Sequence, residues 1–251
     1  MTVHFIGAGP GAADLLTLRG YKILSECKIC LYAGSIIPKE MLSFCPANAT
    51  LIDTAALDLD QIEAEYIKAH QAGLDIARLH SGDLSLYSAV AEQIRRLKKN
   101  RIPYTLTPGV PAFSAAASII EKELTIPEVA QSIVLTRISG RASTMPEKEK
   151  LETYAQTGTT LILHLAIHRL DEIVERLVPY YGKTCPIVVA ARVTWPNEHI
   201  LQGTLETIIQ QLQRNPIERT ALIMVGPALS NEHSQESALY RPNYHRRFKE
   251  Y

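Results

Sequence analysis

An excess of charge of either sign is missing from this chain. Its 251 residues carry 26 Lys and Arg against 26 Asp and Glu, a formal net charge of zero, whereas a general nucleic-acid binder is normally basic. Long apolar runs are missing too, and none approaches the roughly 18 residues of a membrane span. No basic segment precedes the first apolar residues, so no secretory signal is expected. Cysteine is scarce, and four thiols in a chain of this length do not make a disulfide scaffold. Cys27 and Cys30 form a C-x-x-C, but redox motifs open a helix after a strand, and this pair ends a helix and enters a strand. With no second pair to complete a zinc site, they read as core thiols of a reducing cytoplasm. His164 and His168 are four positions apart but straddle a strand end and a loop. No protein-bound metal is expected, since a metal site needs several convergent ligands. Internal repeats are also absent. What is present, 46% hydrophobic and 21% charged residues, supplies the core of one large or two small domains.

The first half of the chain alternates strand and helix. Strands are expected at Val3–Ile6, Ile29–Tyr32, Thr50–Asp53, Asp75–His80 and Tyr104–Thr107, and helices at Asp14–Glu26, Asp60–Ala72 and Tyr87–Asn100. Leu59, Ile62, Tyr66 and Ala69 recur at helical spacing, and Gly73 suits the stop. Strands separated by helices of this length imply parallel crossovers and an α/β sheet. A helix is expected at Ala112–Glu121, and the pattern changes at Glu123–Glu128. The domain boundary is placed between about 112 and 130, dividing the chain into 1–115 and 116–251. The second half mixes strands Ser132–Arg137, Thr160–Leu165, Pro186–Ala191, Ile200–Gly203 and Ala221–Val225 with helices Lys148–Ala155, Arg169–Val178 and Leu205–Leu212. Trp195-Pro196-Asn197 suits a turn between two of these strands, which suggests a mixed sheet. Beyond Ser230 the tail is polar and basic, and is expected to be solvated, with a place in a partner interface or over the active site as the alternative.

Gly7-x-Gly9-x-x-Ala12 formally fits the dinucleotide fingerprint. Two features oppose that reading. Pro10 has no N–H to give where a pyrophosphate would need one. The acidic residue expected about 20 positions on, at the end of the second strand, is absent, and Leu31-Tyr32-Ala33-Gly34 stands there. A P-loop is excluded more firmly, because no Lys-Ser or Lys-Thr follows the glycines. Further loops follow other strand ends: Gly34-Ser35, Ser81-Gly82-Asp83 and Thr107-Pro108-Gly109. Ligands of open α/β sheets bind beyond the carboxyl ends of the strands. These loops offer bare backbone and one carboxylate, Asp83, with no Arg or Lys for a phosphate. A ligand with an ammonium group, a ribose and a base fits better; a tight turn of structural value only stays open.

GAGPGAADLLT at the start, RLHSGDLSLYSA (Arg78–Ala89) and TPGVPAFSAA (Thr107–Ala116) together resemble the tetrapyrrole methylase family. ELTIPEVAQSIVLTRISGRASTMPE (Glu123–Glu147) resembles the branch of that family that methylates C11 of precorrin-4 in cobalamin biosynthesis. The resemblance covers nearly the whole chain, least surely after about residue 230. It implies the two-domain α/β fold of class III methyltransferases, with a mainly parallel N-terminal sheet and a mixed C-terminal one. It implies a homodimer with S-adenosyl-L-methionine held between the domains as methyl donor. Carried over by position, the cofactor-binding residues are Pro10, Ser81, Gly82, Asp83, Leu86, Ala112, Leu165, Ala166 and Val193. Ser81 departs from the Gly usual at that place, so a hydroxyl replaces bare backbone there.

Methyl transfer from a sulfonium disperses charge and chiefly needs alignment, so the lack of a His-Asp-Ser or paired-carboxylate constellation is compatible with it, and no catalytic base is assigned. The substrate implied by the resemblance, precorrin-4 or cobalt-precorrin-4, carries many carboxylates, which arginines pair in bidentate fashion. Arg137, Arg141 and Arg192 are the candidates, and any cobalt would arrive with the substrate. No nucleic-acid or membrane partner is expected. The alternatives are another tetrapyrrole C-methyltransferase of the same pathway and a non-catalytic tetrapyrrole-binding protein.

Overall fold

The computed structural model describes residues 1–140 and 144–230. They form two compact units, one of Met1–Ala116 with Arg192–Glu198, the other of Ala117–Ala191 with the described chain from His199.

In the first unit β1 (Val3–Gly7), β2 (Ile29–Tyr32), β3 (Thr50–Asp53), β4 (Ile76–His80) and β5 (Tyr104–Thr107) form a parallel sheet in the order β3-β2-β4-β1-β5. Its helices are α1 (Leu18–Leu24), α2 (Lys39–Leu42), α3 (Leu59–Ala72) and α4 (Val90–Lys99). Alternation along β1 sends Phe5 into one core with Leu31, Tyr66, Ile76 and Leu97, and Ile6 into another with Leu24, Met41 and Leu79. Cys27 and Cys30 are free thiols buried in the second of these cores. α3 begins with a reciprocal Asp58–Gln61 capping box and ends at Gly73, whose φ of +68° is left-handed. Registers Gly7↔His80 and Ile6↔Thr107 bring the carboxyl ends of β4, β1 and β5 to one edge.

Two of the helices expected in this unit begin late. Asp14–Glu26 is not one helix: a 3-10 turn at Ala13–Leu15 precedes an extended Leu16, and α1 starts after Thr17. The Thr17 hydroxyl accepts the Gly20 N–H at 3.1 Å, so this residue caps a new helix instead of continuing an old one. The helix expected from Tyr87 starts at Val90, because Tyr87 and Ala89 hold φ of +51° and +53°, which a right-handed helix cannot accommodate. The four-residue α2 has too few turns to show a period in the sequence.

α5 (Ala112–Ile119) carries the boundary between the units. In the second unit β6 (Ile133–Arg137), β7 (Thr160–His164), β8 (Pro186–Ala191), β9 (His199–Thr204) and β10 (Ala221–Val225) run in the order β6-β7-β10-β8-β9. Only β6 and β7 pair in parallel, so the sheet is mixed, as expected. The helices are α6 (Leu151–Ala155), α7 (Leu170–Tyr181) and α8 (Ile208–Arg214). α6 lacks the expected start at Lys148, because a 3-10 turn at Glu147–Glu149 and an extended Lys150 come first. Arg176 of α7 holds Glu152 of α6 through Nε at 2.6 Å and Nη2 at 2.9 Å. Among the described residues no helix is long and apolar enough to cross a membrane.

Candidate active site

Three of the loops that leave the carboxyl edge of the first sheet lie side by side: Gly7–Ala12 after β1, Ser81–Ser85 after β4 and Thr107–Pro111 after β5. Backbone bonds join the first two. Ala8 N–H donates to His80 O at 2.8 Å, Gly9 N–H to Gly82 O at 3.1 Å, and Gly82 N–H to Gly9 O at 2.7 Å. Asp83 ties in the third. Its Oδ2 accepts Gly109 N–H at 2.8 Å, while Oδ1 accepts Ser85 N–H at 2.9 Å and the Ser85 hydroxyl. The approach is too close for side chains: a Cβ on Gly7 would stand 2.5 Å from Gly109 N, and one on Gly109 would stand 2.2 Å from Gly82 O. Burial pushes the Asp83 carboxyl up, but the bonds from Ser85 and Gly109 outweigh it and hold the group below its ordinary value, so the carboxylate is ionised.

This hydrogen bonding decides what the rim can hold. The N–H groups of Ala8 and Gly9 serve β4 and the loop after it, Pro10 has none, and Ala12 N–H donates to Thr194 Oγ1 at 2.8 Å. The helix that should greet a pyrophosphate starts only at Leu18. None of the three loops contains Lys or Arg. With these N–H groups engaged, no helix N-terminus at hand and no basic residue, the rim is ill suited to a diphosphate, which opposes the dinucleotide reading. The expected S-adenosylmethionine passes the same test, because it has no phosphate and its sulfonium, a cation, asks for no Lys or Arg.

The structure brings most of the first-unit candidates onto this rim. Pro10 is buried, and its carbonyl accepts the Trp195 Nε1–H at 2.9 Å. Ser81, Gly82 and Asp83 form the middle loop, and half-buried Leu86 follows on the same segment. Ala112 N lies 3.9 Å from where a Gly82 Cβ would stand. Val193 is buried next to Thr194, the partner of Ala12. The Arg192 guanidinium carbon is 5.9 Å from the centroid of the Trp195 ring. The second-unit candidates share a different edge. Register Arg137↔His164 places Arg137, Leu165 and Ala166 at the carboxyl ends of the parallel pair β6 and β7. Arg137 donates through Nη1 to Ile138 O and through Nη2 to Thr144 O, both at 3.2 Å. Leu165 is 68% exposed with φ of +56°, and Ala166 behind it is fully buried. Arg141 lies outside the described residues.

Thr194, Trp195 and His80 are not among the functional candidates of the sequence, which gives Trp195 only a turn and His80 only a strand end. A lone tryptophan in a polar turn between two strands was the available signal for the first pair. His80 ends β4 with its Nε2 buried and without a hydrogen-bond partner. Burial, and then the Arg78 charge, push its pKa down to about 3, so the imidazole is neutral.

Three comparisons bear on this geometry. The family description Tetrapyrrole (Corrin/Porphyrin) Methylases matches residues 2–209. A Sinorhizobium protein named precorrin-4 C(11)-methyltransferase is 59% identical over 249 residues, which is 99% of this chain and 98% of its own. The X-ray structure of a cobalamin biosynthetic enzyme, cobalt precorrin-4 methyltransferase, matches with a TM-score of 0.88 at 32% identity, over 91% of this chain and 96% of that one. A Thermus thermophilus uroporphyrin-III C-methyltransferase, solved in complex with S-adenosyl homocysteine, shares the fold at TM-score 0.75 and 21% identity, covering 91% of this chain and 99% of its own.

Proposed function

The chain belongs to the tetrapyrrole (corrin/porphyrin) methylase family, and from that premise we propose that it transfers a methyl group from S-adenosyl-L-methionine to C11 of precorrin-4 or of cobalt-precorrin-4 in corrin-ring biosynthesis. The carrying observation is the 59% identity, end to end, with a relative named for that reaction. The rim supports the donor class independently, since its chemistry suits a sulfonium and not a diphosphate.

Bound there, S-adenosylmethionine supplies an electrophilic methyl on a sulfonium whose charge disperses as the methyl moves. The task left to the protein is alignment, which can supply on the order of 7–11 kcal/mol. Asp83 serves it by holding Gly109 and Ser85 in place. Pro10, Ser81, Gly82, Leu86 and Ala112 line the donor's place in this reading, and Leu165, Ala166 and Val193 take its adenosyl part. Leu165 supports the assignment, because an exposed leucine with left-handed backbone is unusual, and such outliers cluster at ligand sites. Arg137, Arg141 and Arg192 meet the substrate carboxylates. Arg137 and Arg192 are each already held, one by carbonyls and one over an indole, which orients a guanidinium for paired bonds. Carbon methylation of an electron-rich ring needs no metal from the protein. The resemblance further supports a cytoplasmic homodimer, and the balanced charge supports the absence of a nucleic-acid partner.

Ligand binding tests the donor class. Calorimetry should show heat with S-adenosylhomocysteine and none with NAD, and the product should raise Tm by mass action. The opposite pattern refutes the proposal. Turnover compared on metal-free and cobalt-bearing precorrin-4 then identifies the form used.

A further inference from the structure

We infer that the Arg192–Glu198 turn is a clamp on the Gly9–Ala12 loop and that Trp195 is its positioning residue, a reading that rests on the S-adenosylmethionine site proposed above. Both segments belong to the first unit. The Trp195 indole N–H holds the Pro10 carbonyl at 2.9 Å, and Thr194 Oγ1 holds the Ala12 N–H at 2.8 Å. Between them, Gly11 lies so close under the indole that a Cβ would stand 2.4 Å from Trp195 Cδ1. Three consecutive residues of the loop are thus fixed by two residues more than 180 positions later.

The turn is itself braced. Thr194 N–H donates to Glu198 Oε2 at 2.6 Å, Trp195 N–H to Arg192 O at 2.9 Å and Glu198 N–H to Trp195 O at 3.0 Å. The Arg192 guanidinium stands over the ring. Its backbone is costly: Arg192 and Thr194 hold φ of +47° and +66°, and a β-branched residue rarely does. Strain of this kind persists where the surroundings hold it and clusters at functional sites. Pairing of β8 with β9 does not require it. Their register closes at Ala191↔His199, and hairpin loops of roughly two to five residues are usual, fewer than those from Arg192 to Glu198. The turn is built for the loop it touches.

The consequence is pre-organisation. Without the indole N–H the Pro10 carbonyl loses its partner and the loop spreads over other conformations. Donor affinity then falls by the fraction still competent to bind.

Two variants test this. Trp195→Phe keeps a ring over Gly11 and loses the N–H; Thr194→Val keeps the shape and loses the acceptor. In ligand-free protein, Thr194→Val should speed hydrogen exchange at the Ala12 amide about tenfold, and by calorimetry each variant should bind S-adenosylhomocysteine about tenfold more weakly. KM for S-adenosylmethionine should rise in both variants, and in Thr194→Val, which leaves the indole beside Arg192 in place, KM for the tetrapyrrole should stay. Trp195 is the only tryptophan, so the emission of the unaltered protein should change as S-adenosylhomocysteine is added. Unchanged Ala12 exchange in Thr194→Val, or unchanged affinity in both variants, overturns the clamp. An unaltered protein that binds no S-adenosylhomocysteine overturns the cofactor reading instead, and the exchange measurement, made without ligand, keeps the two failures apart.

Discussion

Asp83 shows what one side chain can and cannot disclose in advance. In the sequence it is a carboxylate beside a glycine at a strand end, open to a ligand or to its own loop. The structure shows both oxygens accepting bonds from Ser85 and Gly109. The Gly109 partner is 26 positions away, and no local pattern encodes such a pairing. Asp83→Ala should therefore lower kcat/KM at least tenfold, on the order of 1.4 kcal/mol, by freeing the Gly109 turn. Asp83→Asn keeps an acceptor and should lose less. Equal losses in the two would point to charge and not to bracing. His80 carries a pH prediction. Its folded pKa of about 3 lies below the ordinary 6.5, so the unfolded chain takes a proton that the folded one refuses. The stability from this group is complete above about pH 6.5 and is lost progressively as pH falls toward 3, reaching about 2 kcal/mol at pH 5. His164, pushed down by burial to about 4, acts in the same direction. Urea midpoints measured from pH 7.5 to 5 should fall less steeply in His80→Gln than in the unaltered protein; parallel curves contradict the assignment.

Between β4 and the helices above it lies a buried polar network. Arg78, 6% exposed, donates from Nε to Gln93 Oε1 at 3.2 Å and from Nη1 to Thr54 Oγ1 at 2.8 Å, while Tyr66 OH donates to the same Gln93 oxygen at 2.5 Å. Thr54 passes the constraint on, donating to Tyr32 O at 3.0 Å. The network locks α3 and α4 to the sheet through neutral acceptors. Gln93→Leu removes an acceptor from two buried donors and should cost about 3 kcal/mol in urea unfolding. Gln93→Glu retains the acceptor and should cost much less. A loss within about 0.5 kcal/mol for Leu, the range of a surface change, would show that the network is not structural. Elements of this kind were legible unevenly. Strands such as Thr50–Asp53 and Pro186–Ala191 matched their expected bounds, because turn residues or charges flank short apolar runs. The start of α5 at Ala112 matched as well, but those of α1 and α4 did not, since Thr17 and Ala89 decide them by capping and by left-handed backbone.

At the scale of the molecule, alternating periods disclosed an α/β chain with a parallel first sheet and a mixed second one. The glycine loops disclosed an edge where a ligand belongs, though not that the N–H groups of Ala8, Gly9, Gly82 and Gly109 are already engaged. In the sequence Trp195-Pro196-Asn197 is a plain turn beside the candidates Arg192 and Val193, because nothing local says that a loop between β8 and β9 packs with the first unit. The central claim concerns chemistry at one carbon. Purified protein should be given precorrin-4, or its cobalt form, with S-adenosylmethionine ¹³C-labelled in the methyl group, and the product examined by NMR. The account predicts a single new labelled methyl attached at C11, between rings B and C; a label at another ring position, or no transfer from folded protein that binds both ligands, would contradict it.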